Sequence, residues 1–362
     1  NAEIARVVGG KELQLVLADD LIARIMVHAS RQPGLSAVYS QLLAFDGSEI
    51  YTTREASLDG SSFGDAMMAY DTSTLIGIVD GTGRVFLNPP METVFQPDFK
   101  AVLIPEDDSA IKISTANGSV DPAAIALPQK LEKKSERTLM LGWNRRGPMI
   151  AFELSRYAAP GSLLTIAADT PTLKEDVEQL QVYGSNLAVE YAVVDTSHRT
   201  TLEGLNIPSY DHVLVLGYSD QMEPQPTDTH TLVTLLHLRR IAELADRHIN
   251  VVSEMIDVRN RELAEATRAD DFVVSNKLVS LMLAQASENE NLAAIFDELL
   301  DEHGPEINMR QMAHYIELKK PVNFFTITEA CRRRGEDRSD SRQIILGHRD
   351  EERGLGEALR GS

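Results

Sequence analysis

One candidate nucleotide site stands out in the sequence, a turn bounded by glycines that reads Gly142-Trp143-Asn144-Arg145-Arg146-Gly147. The turn follows a predicted strand and opens a predicted helix, which is where a doubly wound fold holds the phosphates of a nucleotide. The usual fingerprint is G-x-G-x-x-G, whose second glycine lets backbone N–H groups approach the pyrophosphate. Asn144 stands at that second position, so the fingerprint is incomplete, although the two arginines can still neutralise an anion there.

Asp169 follows the second strand of the same region, at the place where a carboxylate usually binds a ribose. The candidate residues for a nucleotide such as NAD or ADP are therefore Gly142, Asn144, Arg145, Gly147 and Asp169. A purely structural interpretation stays open. In that interpretation the two glycines form only a tight turn between strand and helix, and Asp169 caps the helix that begins near Pro171.

Two carboxylates, Glu254 and Asp257, follow the fifth strand at the carboxyl edge of the predicted sheet. Carboxylate oxygens bind hard cations, so these two residues are the candidate ligands for Ca²⁺ or another cation. The alternative is that both side chains are solvated or that they pair with nearby arginines such as Arg259 and Arg261.

No set of residues combines a nucleophile, a base and an oxyanion hole, so we expect no enzymatic activity. Ser219 lies in Gly217-Tyr218-Ser219-Asp220, which lacks the second glycine of a nucleophile elbow. Cys331 precedes three arginines, which would lower the pKa of a thiol. The other interpretation of Cys331 is a surface cysteine in a basic loop.

The composition excludes several classes of protein. The 362 residues suffice for two or three compact domains, and their net charge of −20 argues against a nucleic-acid role because phosphate backbones are repelled. The sequence has no run of 18 or more apolar residues, the length that predicts a membrane span. Its single cysteine excludes an internal disulfide framework. Since the chain opens on Asn1, we expect a piece of a larger protein.

Residues 138–276 alternate predicted strands and helices in regular order. The clearest helical pattern between the strands runs from Thr229 to Asp246. Repeated βα units of this length predict an α/β fold with a parallel, doubly wound (Rossmann-like) sheet. The strands are predicted at 138–143, 162–167, 187–192, 212–216, 250–255 and 271–274.

A unit of strand, helix, turn and helix occurs twice at an offset of 257 residues, so that Leu15 aligns with Phe272 and Leu35 with Leu292. Only the second copy follows a complete doubly wound domain, which predicts tandem domains with an incomplete first one. The predicted boundaries are 1–48 for the last strand and crossover helices of the first domain, 49–110 for a β-rich lobe, 111–137 for a solvated linker, 138–276 for the doubly wound domain, 277–304 for its crossover helices and 305–362 for a truncated second β-rich lobe.

This order of elements resembles the regulator-of-potassium-conductance (RCK) domains of channel gating rings, and short motifs along nearly the whole chain are similar to the Castor/Pollux ion-channel family. The motifs are Gln32-Pro33-Gly34-Leu35, Leu58-Asp59-Gly60, Phe63-Gly64-Asp65, Gly142-Trp143-Asn144-Arg145-Arg146, Ala159-Pro160-Gly161-Ser162, Glu254-Met255-Ile256-Asp257-Val258-Arg259 and Ser275-Asn276-Lys277-Leu278-Val279-Ser280.

The resemblance implies the regulatory region of a tetrameric cation channel, at the cytoplasmic face of a membrane and from a bacterial member. It implies a homo-oligomeric ring of eight RCK domains that pair through the crossover helices, with the pore upstream in the same polypeptide. The implied ligand is Ca²⁺ or a nucleotide, and the altered glycine turn weakens the case for the nucleotide. Two other hypotheses stay open, an NAD-dependent oxidoreductase and a ligand-sensing scaffold of a transporter.

Overall fold

A computed structural model describes residues 18–44, 49–105, 111–114, 119–127, 134–180, 182, 184, 186–260, 263, 271–288, 290–299, 304–305, 307–317 and 321–336. The chain forms two compact units. One unit, here called the doubly wound unit, comprises Val16–Ser40 and Glu132–Leu283. The other, the lobe unit, comprises Asn1–Leu15, Gln41–Leu131 and Ala284–Ser362.

The helices and strands, in chain order, are α1 (Ala18–Arg31), α2 (Leu35–Leu43), β1 (Tyr51–Thr53), α3 (Phe63–Met67), β2 (Ser73–Val79), β3 (Val85–Leu87), β4 (Lys100–Pro105), β5 (Arg137–Leu141), α4 (Gly147–Tyr157), β6 (Ser162–Ala168), α5 (Leu173–Glu178), β7 (Leu187–Val193), α6 (Arg199–Gly204), β8 (His212–Val215), α7 (Pro224–Ala245), β9 (Asn250–Met255), β10 (Asp271–Val274), α8 (Ser275–Glu288), α9 (Glu290–Leu299) and α10 (Phe324–Glu336).

The doubly wound unit contains a six-stranded sheet in the order β10-β9-β8-β5-β6-β7, and every neighbouring pair is parallel. Its central strands are apolar because they are covered on both faces, and Leu139, Met140 and Leu141 of β5 are fully buried. The edge strand β7 is largely exposed. All six predicted strands are present, and the parallel, doubly wound fold class is confirmed. After β5, the strands β6 and β7 are added on one side of it. The chain then returns to the other side of β5, where β8, β9 and β10 are added in turn. A crevice therefore opens at the carboxyl ends of β5 and β8.

Helix α7 differs from its prediction at its N-terminus. The sequence pattern starts the helix at Thr229, but it begins at Pro224, with Glu223 in extended conformation before it. Proline is tolerated in the first turn of a helix because the N–H that it lacks would have no partner within the helix. The predicted start of this helix was therefore too late in the chain.

The repeated unit appears as two helix pairs. Helix α1 begins at Ala18 and helix α8 begins at Ser275, which reproduces the predicted offset, since 275 − 18 = 257. Strand β10 leads directly into α8. The strand predicted ahead of α1 lies on residues 12–17, outside the described part of the chain, and Ala18 already belongs to the helix.

The lobe unit contains a four-stranded antiparallel sheet in the order β1-β4-β2-β3. Strand β2 is buried along its whole length, and its core neighbours include Phe63 and Tyr70. All four strands lie within residues 49–110, the stretch predicted as the first β-rich lobe. Helix α3 was not predicted; it is short and begins at Phe63 after Ser62, whose hydroxyl caps the helix by accepting a hydrogen bond from Asp65 N (3.1 Å).

Two expectations about the lobe unit were wrong within the described residues. The stretch 111–137 was predicted as a solvated linker, yet Ala124 is fully buried and Ile125 pairs with Ile316. From residue 305 onward no described residue lies in a strand, and the longest element is helix α10. The buried apolar residues of that helix, such as Ile327 and Cys331, are four apart, which is a helical spacing.

Candidate functional site

The glycine-bounded turn lies between β5 and α4, at the crevice of the doubly wound unit. Gly142 has φ +88°, and a Cβ at this position would lie 2.2 Å from the carbonyl oxygen of Leu216. Only glycine fits here, because the backbone of this residue is in the left-handed region and the backbone of Leu216 leaves no room for a Cβ. The structural interpretation of Gly142, a tight turn between strand and helix, therefore has a direct physical cause.

Trp143 and Gly147 pack against each other within the turn. The Trp143 side chain is buried and donates from Nε1 to Asp176 Oδ2 at 3.0 Å. A Cβ on Gly147 would lie 2.5 Å from the indole ring. The second glycine of the turn thus makes room for the tryptophan.

Asn144, at the altered position of the fingerprint, is buried and fully engaged by the protein. Its Nδ2 donates to Gly217 O at 2.7 Å and to Glu254 Oε2 at 3.0 Å. Its Oδ1 accepts from the backbone N–H of Arg146 at 2.9 Å. The side chain therefore points beneath the turn and ties it to the ends of β8 and β9.

Glu254, a candidate cation ligand, is the acceptor at the centre of this network. Its carboxylate is buried, pairs with the guanidinium of Arg146, and accepts from Ser275 Oγ at 2.8 Å and from Gly217 N at 3.3 Å. A buried carboxylate is stable when it is paired and hydrogen-bonded in this way. The structure therefore places Glu254 with the predicted nucleotide residues and gives it an arginine as its counter-ion.

Asp257, the other candidate cation ligand, forms an ion pair with Arg259. Hydrogen bonds from Arg259 hold the pKa of the Asp257 carboxyl below its ordinary value. Asp228 was not identified from the sequence; its buried carboxylate accepts from Ile256 N (2.8 Å), Asp257 N (3.0 Å) and Asn260 Nδ2 (2.7 Å). Glu254 and Asp257 are not brought together. Within the described residues, no group of three or more histidines, cysteines or carboxylates could hold a metal ion.

Arg145 and Arg146 face the first turn of helix α1. Arg145 Nε donates to Asp19 Oδ2 at 2.8 Å, and Arg146 Nη1 lies 3.3 Å from Asp19 Oδ1. Arg145 also binds Asp220 through its backbone N–H (2.5 Å) and its guanidinium (3.6 Å). The sequence indicated Asp220 only as part of the rejected nucleophile turn.

Asp169 lies at the carboxyl end of β6 with its side chain exposed. Its backbone N–H donates to the Tyr218 hydroxyl at 3.1 Å. The alternative role as a cap of the next helix is wrong, since α5 begins at Leu173 with Thr172 before it. Asp169 thus stands on the crevice side of β6, apart from the Asn144–Glu254 network.

Beyond Asp169, a histidine and an aspartate meet at the same edge of the sheet. His230, on α7, packs edge-on against Tyr218 with ring centroids 4.8 Å apart, and its Nε2 lies 3.7 Å from Asp195 Oδ1. Burial lowers the pKa of His230, and the nearby Asp195 carboxylate opposes this effect. The imidazole is therefore neutral at physiological pH and acts in packing rather than as a charge.

Cys331 differs from both interpretations offered by the sequence. It is buried on helix α10 beside Ile327 and Ala330, and burial raises the pKa of its thiol to about 12. The neighbouring arginines Arg332 and Arg333 pair with Glu329 on their own helix. Burial outweighs the charge of Arg334, which acts in the opposite direction on the pKa, so Cys331 is neither a reactive thiolate nor a surface loop residue.

Comparison with known proteins identifies what this chain resembles. Residues 19–121 match the family model described as "Castor and Pollux, part of voltage-gated ion channel". The "Probable ion channel POLLUX" of Arabidopsis thaliana is 28% identical over 96% of this chain, and the "Ion channel CASTOR" of Lotus japonicus is 27% identical over 96%. The resemblance to Castor/Pollux ion channels expected from the sequence is confirmed. The chain spans less than half the length of these relatives, 46% and 44% respectively.

The fold is also found among solved structures. The human SLO3 gating ring has a TM-score of 0.59 at 14% sequence identity, covering 78% of this chain and 60% of that chain. The fold of this chain is thus similar to that of the human SLO3 gating ring. No helix among the described residues has the length and apolar character that a membrane span requires.

Proposed function

We propose that this chain is the regulatory, gating-ring region of a cation channel and that it works without catalysis. The observation that carries the proposal is that relatives named as ion channels match along 96% of the chain. The gating-ring fold and the Castor/Pollux family match support the same function.

The contacts at the crevice support a non-catalytic role. The polar groups that a cofactor or substrate would need are used within the protein: Asn144 binds Gly217 and Glu254, and Glu254 binds Arg146 and Ser275. The hydroxyl of Ser219 is buried and belongs to no nucleophile–base pair among the described residues. A network of this kind fixes strand ends in place rather than exchanging protons with a substrate.

The proposed assembly is a homotetramer in which eight RCK domains form a ring at the cytoplasmic face of a membrane. The pore lies in another part of the polypeptide. Residues 1–48 and 49–110 belong to the first, incomplete RCK domain, 111–137 connect it to the second, and 138–276, 277–304 and 305–362 form the second. An exposed apolar residue on the second crossover helix pair, Leu283, supports pairing through that helix, since its side chain is 55% exposed.

The proposed ligand is Ca²⁺ or another cation rather than a nucleotide. The net charge of −20 favours cations near the protein surface. A ligand gates a ring only if it binds one ring geometry more tightly than the other. Calorimetric titration with Ca²⁺, Na⁺ and K⁺ tests this part of the proposal. A heat of binding with at least one cation supports a sensing role. If none of the cations gives a heat of binding, the region acts as a scaffold and not as a sensor.

Light scattering on the purified chain tests the assembly. We expect a mass that is a multiple of the 40.0 kDa chain, with the tetramer as the final species. The variant Leu283→Asp should lower that mass because it places a charge in the helix pairing, whereas Ser287→Asp, at an exposed position on the same helix, should not. A wild-type chain that stays monomeric at its highest soluble concentration would contradict the proposal.

A further inference from the structure

In the first βα turn, the backbone N–H groups donate hydrogen bonds to acceptors within the protein. At the N-terminus of an ordinary helix, the first N–H groups have no partner in the helix and are free to bind a phosphate. Here the N–H of Arg145 donates to Asp220 Oδ2, the N–H of Arg146 to Asn144 Oδ1, and the N–H of Gly147 to Asn144 O. Pro148, in the first turn of α4, has no N–H at all.

We infer that this turn is closed to NAD and ADP because the Asp220 carboxylate occupies the phosphate position. The turn serves instead as an ion-pair link between helix α1 and the parallel sheet. The residues do not fit a dinucleotide. A pyrophosphate would have to displace Asp220 from Arg145 while approaching three negative charges, those of Asp19, Asp220 and Glu254, which surround the two arginines.

The charges of the turn are balanced by the protein itself. The N-termini of α1 and α4 both carry a partial positive charge, and Arg145 and Arg146 add two full charges between them. Asp19, in the first turn of α1, accepts a hydrogen bond from Arg145 through Oδ2, and its Oδ1 lies 3.3 Å from Arg146 Nη1. Arg146 is buried and also pairs with Glu254, so it connects the start of α1 to the end of β9. No external anion is needed for this balance.

The link gives helix α1 a fixed position relative to the strand ends of its unit. Asp20, the neighbour of Asp19, pairs with Arg24 of the same helix at 3.1 Å. Among the described residues of this helix turn, Asp19 makes the ion pairs with the two arginines. The inference does not depend on the proposed channel function, since it concerns contacts within the doubly wound unit.

Calorimetric titration with inorganic pyrophosphate, ADP and NAD tests the closure of the turn. The wild-type chain should bind none of them. Asp220→Ala frees the Arg145 N–H and removes a negative charge, so pyrophosphate affinity should rise at least about tenfold. Asp220→Asn keeps an acceptor for that N–H and should gain less. Glu223→Ala, which removes an exposed carboxylate three residues away, is the matched control and should resemble the wild type.

Binding of NAD or ADP by the wild-type chain would overturn the inference, and so would an Asp220→Ala variant that folds but gains no pyrophosphate affinity. Hydrogen exchange tests the link independently. Asp19→Asn should speed amide exchange in the first turns of both α1 and α4, whereas Asp20→Asn should affect α1 alone. Equal effects of the two variants on α4 would show that Asp19 makes no connection.

Discussion

Asn144 and Glu254 join the ends of two strands that are not neighbours in the sheet: Asn144 follows β5, Glu254 belongs to β9, and β8 runs between them. Asn144 Nδ2 lies 3.0 Å from Glu254 Oε2, and both side chains are buried. The contact exists because a side chain has replaced the glycine of the fingerprint and reaches beneath the turn. The residue that weakens the nucleotide motif is thus the residue that stabilises the crevice.

Replacing Glu254 by Gln should destabilise the protein strongly. The substitution removes the closer of the two carboxylates that pair with the buried Arg146 guanidinium and leaves only Asp19, and breaking a buried pair costs about 3–5 kcal/mol. Urea unfolding measures the loss. Glu223→Gln, an exposed site, should change the free energy of unfolding by less than about 0.5 kcal/mol. Similar stabilities for the two variants would show that Arg146 finds another partner.

Gly142 and Gly204 should respond in opposite ways to alanine. Gly142→Ala forces a Cβ into a left-handed residue and against Leu216, so we expect a loss of more than about 2 kcal/mol in the free energy of unfolding. Gly204 ends α6 with no atom within 4 Å of an added Cβ. Its alanine variant should be neutral or stabilising by up to about 1 kcal/mol. A tolerated Gly142→Ala change would contradict the described turn.

Cys331 should resist thiol reagents in the folded protein. Burial raises the pKa of its thiol to about 12, so almost no thiolate forms at mildly alkaline pH and the sulfur is out of reach. Labelling with iodoacetamide, followed by mass spectrometry, should be slow in buffer and complete in urea. Rapid stoichiometric labelling of the folded chain would place Cys331 at the surface.

His230 should make the protein less stable in mild acid. Its folded pKa is lowered by burial from an unfolded value of 6.5, so below pH 6.5 the unfolded state binds more protons than the folded state. The stability that it contributes is fully present above that pH and is lost as the pH falls toward the folded pKa.

The comparison of variants isolates this contribution. His230→Gln should flatten the pH dependence of the melting temperature between neutral and mildly acidic pH. His198→Gln, at a side chain that is 70% exposed, serves as the control and should leave the slope in place. An unchanged slope for His230→Gln would show that its imidazole titrates as it does in the unfolded chain.

The parallel sheet and the repeated helix pair were predictable because their signals are local. Strands covered on both faces require continuous apolar runs, as in 138–143, and a helix pair repeated at a fixed offset shows itself in aligned residues. The start of α7 was harder to predict, because its first turn contains Pro224 and Pro226 and lies ahead of the apolar spacing that indicates the helix.

The site itself could be predicted only in part. Gly142, Asn144, Arg145, Gly147 and Glu254 were all identified, but they were assigned to two separate sites. Their connection depends on the order of strands in the sheet, which brings β5, β8 and β9 side by side. Asp19 and Asp220 gave no signal of a shared role, since each lies far along the chain from Arg145 and each has a plausible local use.

Cation flux in proteoliposomes tests the account most directly. The vesicles would contain the full-length product of the gene that encodes this chain, either wild type or carrying Leu283→Asp. We predict a cation flux in the wild type that depends on the ligand found by calorimetry, and the loss of that dependence in Leu283→Asp while Ser287→Asp behaves as wild type. The absence of any cation flux in the wild type, or a ligand response unchanged by Leu283→Asp, would contradict a gating-ring function.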